Sequence, residues 1–126
     1  MQNNEYSNSA ISLFRLMLDL DWVQDKTKPV IFDFCRFIPN GIDVRRLNNN
    51  IIAIFGYTAY KPTKHLTCSN VINSIREAMN NSRNGLTEHS EVWVKNDGDV
   101  LSTAIISVKD TDNEVVLITE YFGGKK

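Results

Sequence analysis

Apolar residues return every three or four positions between Ala10 and Leu20, at Ala10, Leu13, Phe14, Met17 and Leu20. That is the stripe of a helix lying on a core, and Ser9 has the side chain to cap its start, so a helix to about Asp21 is predicted. From Val30 the pattern changes. Val30 to Phe37 is a run of β-branched and aromatic residues, with Val30, Phe32 and Phe34 on one side and Ile31, Asp33, Cys35 and Phe37 on the other, which reads as a strand needing cover on both faces. Pro29 excludes a helix continuing into it. Pro39, Asn40 and Gly41 signal a turn and so do Asn48 to Asn50, with IDVRRL between them as a short strand or an excursion. Ile51 to Tyr57 is a second strand buried on both sides, and Gly56 marks a bulge or a close backbone approach near its end.

A second helix is predicted from a cap at Thr67 or Ser69 to about Ser82, with Val71, Ile72, Ile75 and Met79 inward and Gly85 as a stop. Three strands follow, at about Glu88 to Lys95, Val100 to Lys109 and Glu114 to Phe122, joined by NDGD and DTDNE. Asp97-Gly98 is the strongest hairpin signal, because both residues tolerate the positive φ of a type I′ turn. The predicted order is α-β-β-α-β-β-β with room for an extra strand in the middle. Consecutive hairpin strands with few helices predict a single α+β domain over residues 1–126, a mostly antiparallel sheet of about five strands with two helices packed against it. Residues 1–8 and 123–126 are expected to be flexible tails.

Composition narrows the function more by exclusion than by motif. The chain has 126 residues, enough for one domain with a proper core, and a net charge of −1, which removes the general attraction to polyanions that a basic chain carries. No apolar run approaches the roughly 20 residues of a membrane span, and the opening residues lack the pattern of a secretory signal. A cytoplasmic protein with no membrane partner is expected, and its two cysteines, Cys35 and Cys68, are expected to be free and at least partly buried.

Four groupings of residues carry candidate chemistry. Cys35, His65, Cys68 and His89 have the residue types of a zinc site, but only His65 and Cys68 are close in sequence, whereas structural zinc draws its ligands in close pairs. Cys68 at a helix start with His65 or His89 as base suggests a Cys-His hydrolase, without the glycine signature of an oxyanion hole. Asp19, Asp21 and Asp25 do not converge on a helix. Phe55, Tyr57 and Tyr60 with Arg45, Arg46, Lys61, Lys64 and His65 suggest a nucleic-acid module, without any recognised binding signature. No phosphate loop, nucleophile elbow or dinucleotide fingerprint is present, so no enzymatic activity, cofactor or metal is expected.

The charge is unevenly shared along the chain. Lys26 to Lys64 holds seven basic and two acidic residues, and Glu88 to Glu120 holds eight acidic and two basic. The acids are Glu88, Glu91, Asp97, Asp99, Asp110, Asp112, Glu114 and Glu120, and Trp93, Tyr121 and Phe122 lie nearby in sequence. Aromatic anchors beside charge are the means by which protein interfaces gain affinity and select partners. We therefore expect the partner-binding residues to be these eight acids with Trp93 and Tyr121, and the partner to be a basic toxin or nuclease domain, bound by a monomer or a homodimer. In size and general character, though in no particular motif, the chain resembles the immunity proteins of contact-dependent growth inhibition systems. That likeness implies an antitoxin that neutralises a cognate nuclease, with a phage or plasmid anti-defence protein as the alternative in the same class.

Overall fold

The computed structural model describes residues 10–47, 49–59, 66–81, 83, 85–95 and 103–121. They form two helices and six strands: α1 (Leu13–Asp21), β1 (Val30–Phe32), β2 (Ile38–Leu47), β3 (Asn50–Thr58), α2 (Cys68–Asn80), β4 (Val92–Val94), β5 (Thr103–Asp110) and β6 (Val115–Tyr121). The α+β class holds, and IDVRRL lies within the additional strand, β2. The sheet is a correction. It has six strands in the order β1-β6-β5-β4-β3-β2 and is mixed, because β1 runs parallel to β6 and β3 runs parallel to β4. Tight turns do enforce antiparallel pairing within β2–β3 and β5–β6. Between β3 and β4, however, the chain passes through α2, and a helical crossover returns it in the same direction.

Helix α1 begins later than its pattern suggests. Ser12 is the N-cap, its Oγ accepting from the Arg15 amide at 3.1 Å. Ile11 is held extended instead, donating to the Ile105 carbonyl and accepting from the Val92 amide. The first amides of α1 are satisfied by the carbonyls of Ser90 and Glu88, which is why the expected strand from Glu88 shortens to Val92–Val94. Leu13, Leu16 and Leu20 are its buried residues, whereas Phe14 is 53% exposed. Helix α2 matches its predicted start at Thr67, which forms a reciprocal capping box with Asn70.

The predicted strand from Val30 to Phe37 breaks after Phe32. Cys35 and Arg36 adopt left-handed φ values of 54° and 52°, and the Phe37 amide returns to the Phe34 carbonyl. Asp33 is drawn aside to β6, where its carboxylate accepts from the Thr119 amide and hydroxyl. The aromatic residues that imitate a strand here form a cluster instead: Phe32 stacks on Phe34, Phe37 stacks on Tyr57 with centroids 5.1 Å apart, and Phe34 meets Tyr57 edge-on. This cluster joins β3 to the turn after β1 and, with the Phe32 amide donating to the Phe37 carbonyl, draws the ends of the curled sheet together.

Pro39, Asn40 and Gly41 likewise make no chain reversal. They lie in β2, where the register shifts between Pro39 and Gly41 as at a bulge. Proline is tolerated because β2 is last in the sheet order. Gly56, paired with Gly41, has the close approach its position suggests: a Cβ there would lie 2.6 Å from Asn40 Oδ1. The hairpin signal at Asp97-Gly98 and both expected tails lie outside the described residues.

Candidate partner-binding surface

Side chains alternate across a strand, so the pairing register decides which residues share a face. Phe32, Ala53, Phe55, Val92, Val94, Ile105, Val115 and Leu117 point toward Leu13, Leu16 and Leu20 of α1 and Val71, Ile72 and Ile75 of α2, and together these form the core. The alternate positions form the other face. Asp43 pairs with Ile54, Ile54 with Trp93, Trp93 with Ala104, and Ala104 with Glu120, a row crossing five strands. Along the strands from that row lie Arg45 beside Ile52, then Glu91, Ile118 and Val116, with Ile31 beside Val116. Ile31, Ile52, Ile54 and Ala104 are buried, and Trp93, Ile118, Val116 and Glu120 are half-buried. Among the described residues, both helices belong to the opposite face.

Trp93 is oriented within this surface. Its indole Nε1 donates to Glu91 Oε1 at 2.9 Å, which fixes the ring and leaves an acidic side chain at its edge. Three of the residues expected to bind a partner, Glu91, Trp93 and Glu120, are thus brought to one face. Asp43, Arg45, Ile52 and Ile54 join them from the middle of the chain. Their neighbourhood was not legible from spacing, because it depends on β3 pairing with β4 across an intervening helix.

The remaining acids lie elsewhere. Asp110, Asp112 and Glu114 surround the β5–β6 turn, five residues along β6 from Glu120, about 17 Å at the usual strand rise. Two of these are paired: Asp110 accepts from Lys28 Nζ at 2.9 Å, and Glu114 receives both terminal nitrogens of Arg36, at 3.3 and 2.7 Å. The bond from Lys28 to Asp110 raises the Lys28 pKa, so this cation remains charged beside the turn. Asp112 is exposed. Glu88 is exposed in the turn before β4, and Tyr121, 67% exposed, pairs with Thr103 on the helix-bearing side. Asp97 and Asp99 lie outside the described residues.

Cys68 is fully buried, its Sγ donating to the Leu20 carbonyl at 3.5 Å, and burial pushes its thiol up, opposite to what a nucleophile needs. Cys35 is exposed in the turn after β1, correcting the expectation that it is partly buried. Asp19 pairs with Arg15, and Asp25 binds the amide and hydroxyl of Thr27, which lowers its pKa. Phe55 is core and Tyr57 belongs to the aromatic cluster, so neither is placed to stack bases; Tyr60, Lys61, Lys64 and His65 lie outside the described residues. Among the described residues no group of three His, Cys, Asp or Glu side chains converges as metal ligands. No helix among them is long and apolar enough to cross a membrane. No protein-family model matches the chain, and no curated protein or solved structure matches it either.

Proposed function

We propose that this chain is a small inhibitor that binds a protein partner one to one, an immunity protein against a cognate nuclease toxin of the contact-dependent growth inhibition kind. One observation carries the reading: Trp93, held by Glu91 and level with Glu120, sits on the sheet face opposite α1 and α2, over Ile52, Ile54 and Ala104. An oriented aromatic over an apolar floor with charge at its margin has the composition of an interface centre. Glu91 and Glu120 steer a cationic partner and stand where its substrate's phosphates would otherwise bind, while Trp93 supplies the buried area. The acids at the β5–β6 turn contribute less, since Lys28 and Arg36 already offset two of them.

The test is co-expression with a nuclease toxin domain encoded beside this chain, read as relief of growth arrest and as a one-to-one complex by light scattering. Glu91→Lys combined with Glu120→Lys is expected to weaken binding about a hundredfold, and Trp93→Ala by a similar factor. Full protection by the doubly reversed variant would overturn the reading.

A further inference from the structure

Strand β2 is last in the sheet order, and the strands behind it identify which of its backbone groups point outward. The Ala53 amide donates to the Glu91 carbonyl and the Lys95 amide to the Phe55 carbonyl, so Ala53 and Phe55 turn their peptide groups toward β4. Ile52 and Ile54 alternate with them and turn theirs toward Arg45 and Asp43 of β2. Ile42, Val44 and Arg46, alternating in turn, each aim an N–H and a C=O away from the sheet. Among the described residues, no backbone bond beyond the pairing with β3 involves residues 42–46. The bond from β1 across the seam reaches Phe37, before β2 starts, and Pro39 with its register shift blunts only the first residues of β2. We infer that this edge pairs antiparallel with the same edge of a second copy of the chain, about a two-fold axis perpendicular to the sheet at Val44.

The edge complements itself, and its sequence selects the register. An axis perpendicular to the sheet reverses the strand but leaves every side chain on its own face, so positions equally far before and after Val44 meet on the same face. Val44 then meets Val44, Asp43 of each copy meets Arg45 of the other, and Ile42 meets the aliphatic stem of Arg46. Ile42 and Val44 are half-buried beside the core, whereas Asp43 and Arg45 lie on the face of Trp93, so apolar and charged contacts fall on separate faces. Centring the axis on Asp43 or on Arg45 would set like charges directly opposite, and an axis between two residues would match side chains of opposite faces. With Val44 on the axis, each outward amide of one copy finds an outward carbonyl of the other. The pairing uses neither Trp93, Glu91 nor Glu120, and the two-fold leaves both Trp93 faces on the same side of the joined sheet. It therefore stands apart from the toxin reading, and a measurement of mass and one of growth arrest can fail separately.

So short an edge buries much less than the about 800 Å² per partner of a standard interface, and dissociation on the order of tens of micromolar is expected. Sedimentation equilibrium of the full chain from about 5 to 500 μM should show the mass rising from 14.4 kDa toward twice that value. D43R alone and R45D alone set like charges opposite at both ends of the pairing, and each should weaken the dimer at least about tenfold. An equimolar mixture of D43R and R45D should recover it, because opposite charges then face each other at both ends. Neither a nonspecific apolar association nor a change within one chain gives that result. Arg46→Pro removes an outward amide that β3 does not use, and should weaken the dimer with little change in urea denaturation. A mass fixed at 14.4 kDa throughout, single reversals that dimerise like the parent chain, or a mixture no heavier than either variant alone would overturn the inference.

Discussion

Cys68 and Cys35 are the chain's two thiols, and their surroundings make them opposites. Cys35 sits on an exposed turn, and Cys68 is sealed between the end of α1 and the start of α2. An aromatic disulfide reagent should therefore titrate one thiol promptly and the second only as the protein unfolds; two fast thiols would contradict the packing. The buried thiol also sets a sign for pH dependence. Its pKa lies above the ordinary 9.0, so above that pH the unfolded chain loses this proton while the folded chain keeps it. Stability from this group is complete below 9.0 and declines as pH rises through the folded value, and Cys68→Ala should flatten the alkaline limb of a denaturation series. The thiols were partly legible. That Cys68 starts a helix follows from Thr67 and the apolar residues after it, but that Cys35 is exposed follows from a left-handed backbone at Cys35 and Arg36 that no pattern of β-forming residues announces.

At the scale of elements, the start of α2 was readable because its chemistry is local. Thr67 Oγ1 accepts from the Asn70 amide and Asn70 Oδ1 accepts from the Thr67 amide, contacts formed within four consecutive residues. Thr67→Ala should cost about 1 kcal/mol in urea denaturation, and Thr67→Ser should recover most of it. Helix α1 was harder to read. Phe14 and Leu16 compete for its inward side, and Leu16 wins because the helix starts at Ser12 while Ile11 is bound between β4 and β5. The aromatic stretch from Phe32 to Phe37 misled for a related reason. Its β propensity is a preference for packing, and here Phe34 and Phe37 pack against Tyr57 across a turn.

Across the whole molecule, β1 and β2 end the sheet order yet approach each other, with the aromatic cluster and the bond from the Phe32 amide to the Phe37 carbonyl spanning the seam. Phe37→Ala removes the ring stacked on Tyr57 and should destabilise the fold by about 2 to 3 kcal/mol, with Phe37→Leu costing less. Chemical denaturation followed by circular dichroism measures both, and a loss below about 0.5 kcal/mol would mean that the seam does not depend on this cluster. The same curvature leaves the other sheet face to Trp93 and its neighbours.

Local pattern along the chain was enough for the α+β class, both helices, the β5–β6 hairpin and the apolar character of both faces of the central strands. These rest on periodicity, capping and turn residues, all of which act within a few positions. Long-range packing alone set β1 beside β6 and β3 beside β4, made the sheet mixed, and divided the acids between a sheet face and a hairpin turn. Strand order is set by how the two helices bury one common core. No short stretch of chain encodes that, because the residues that meet are separated by the helix whose packing brings them together.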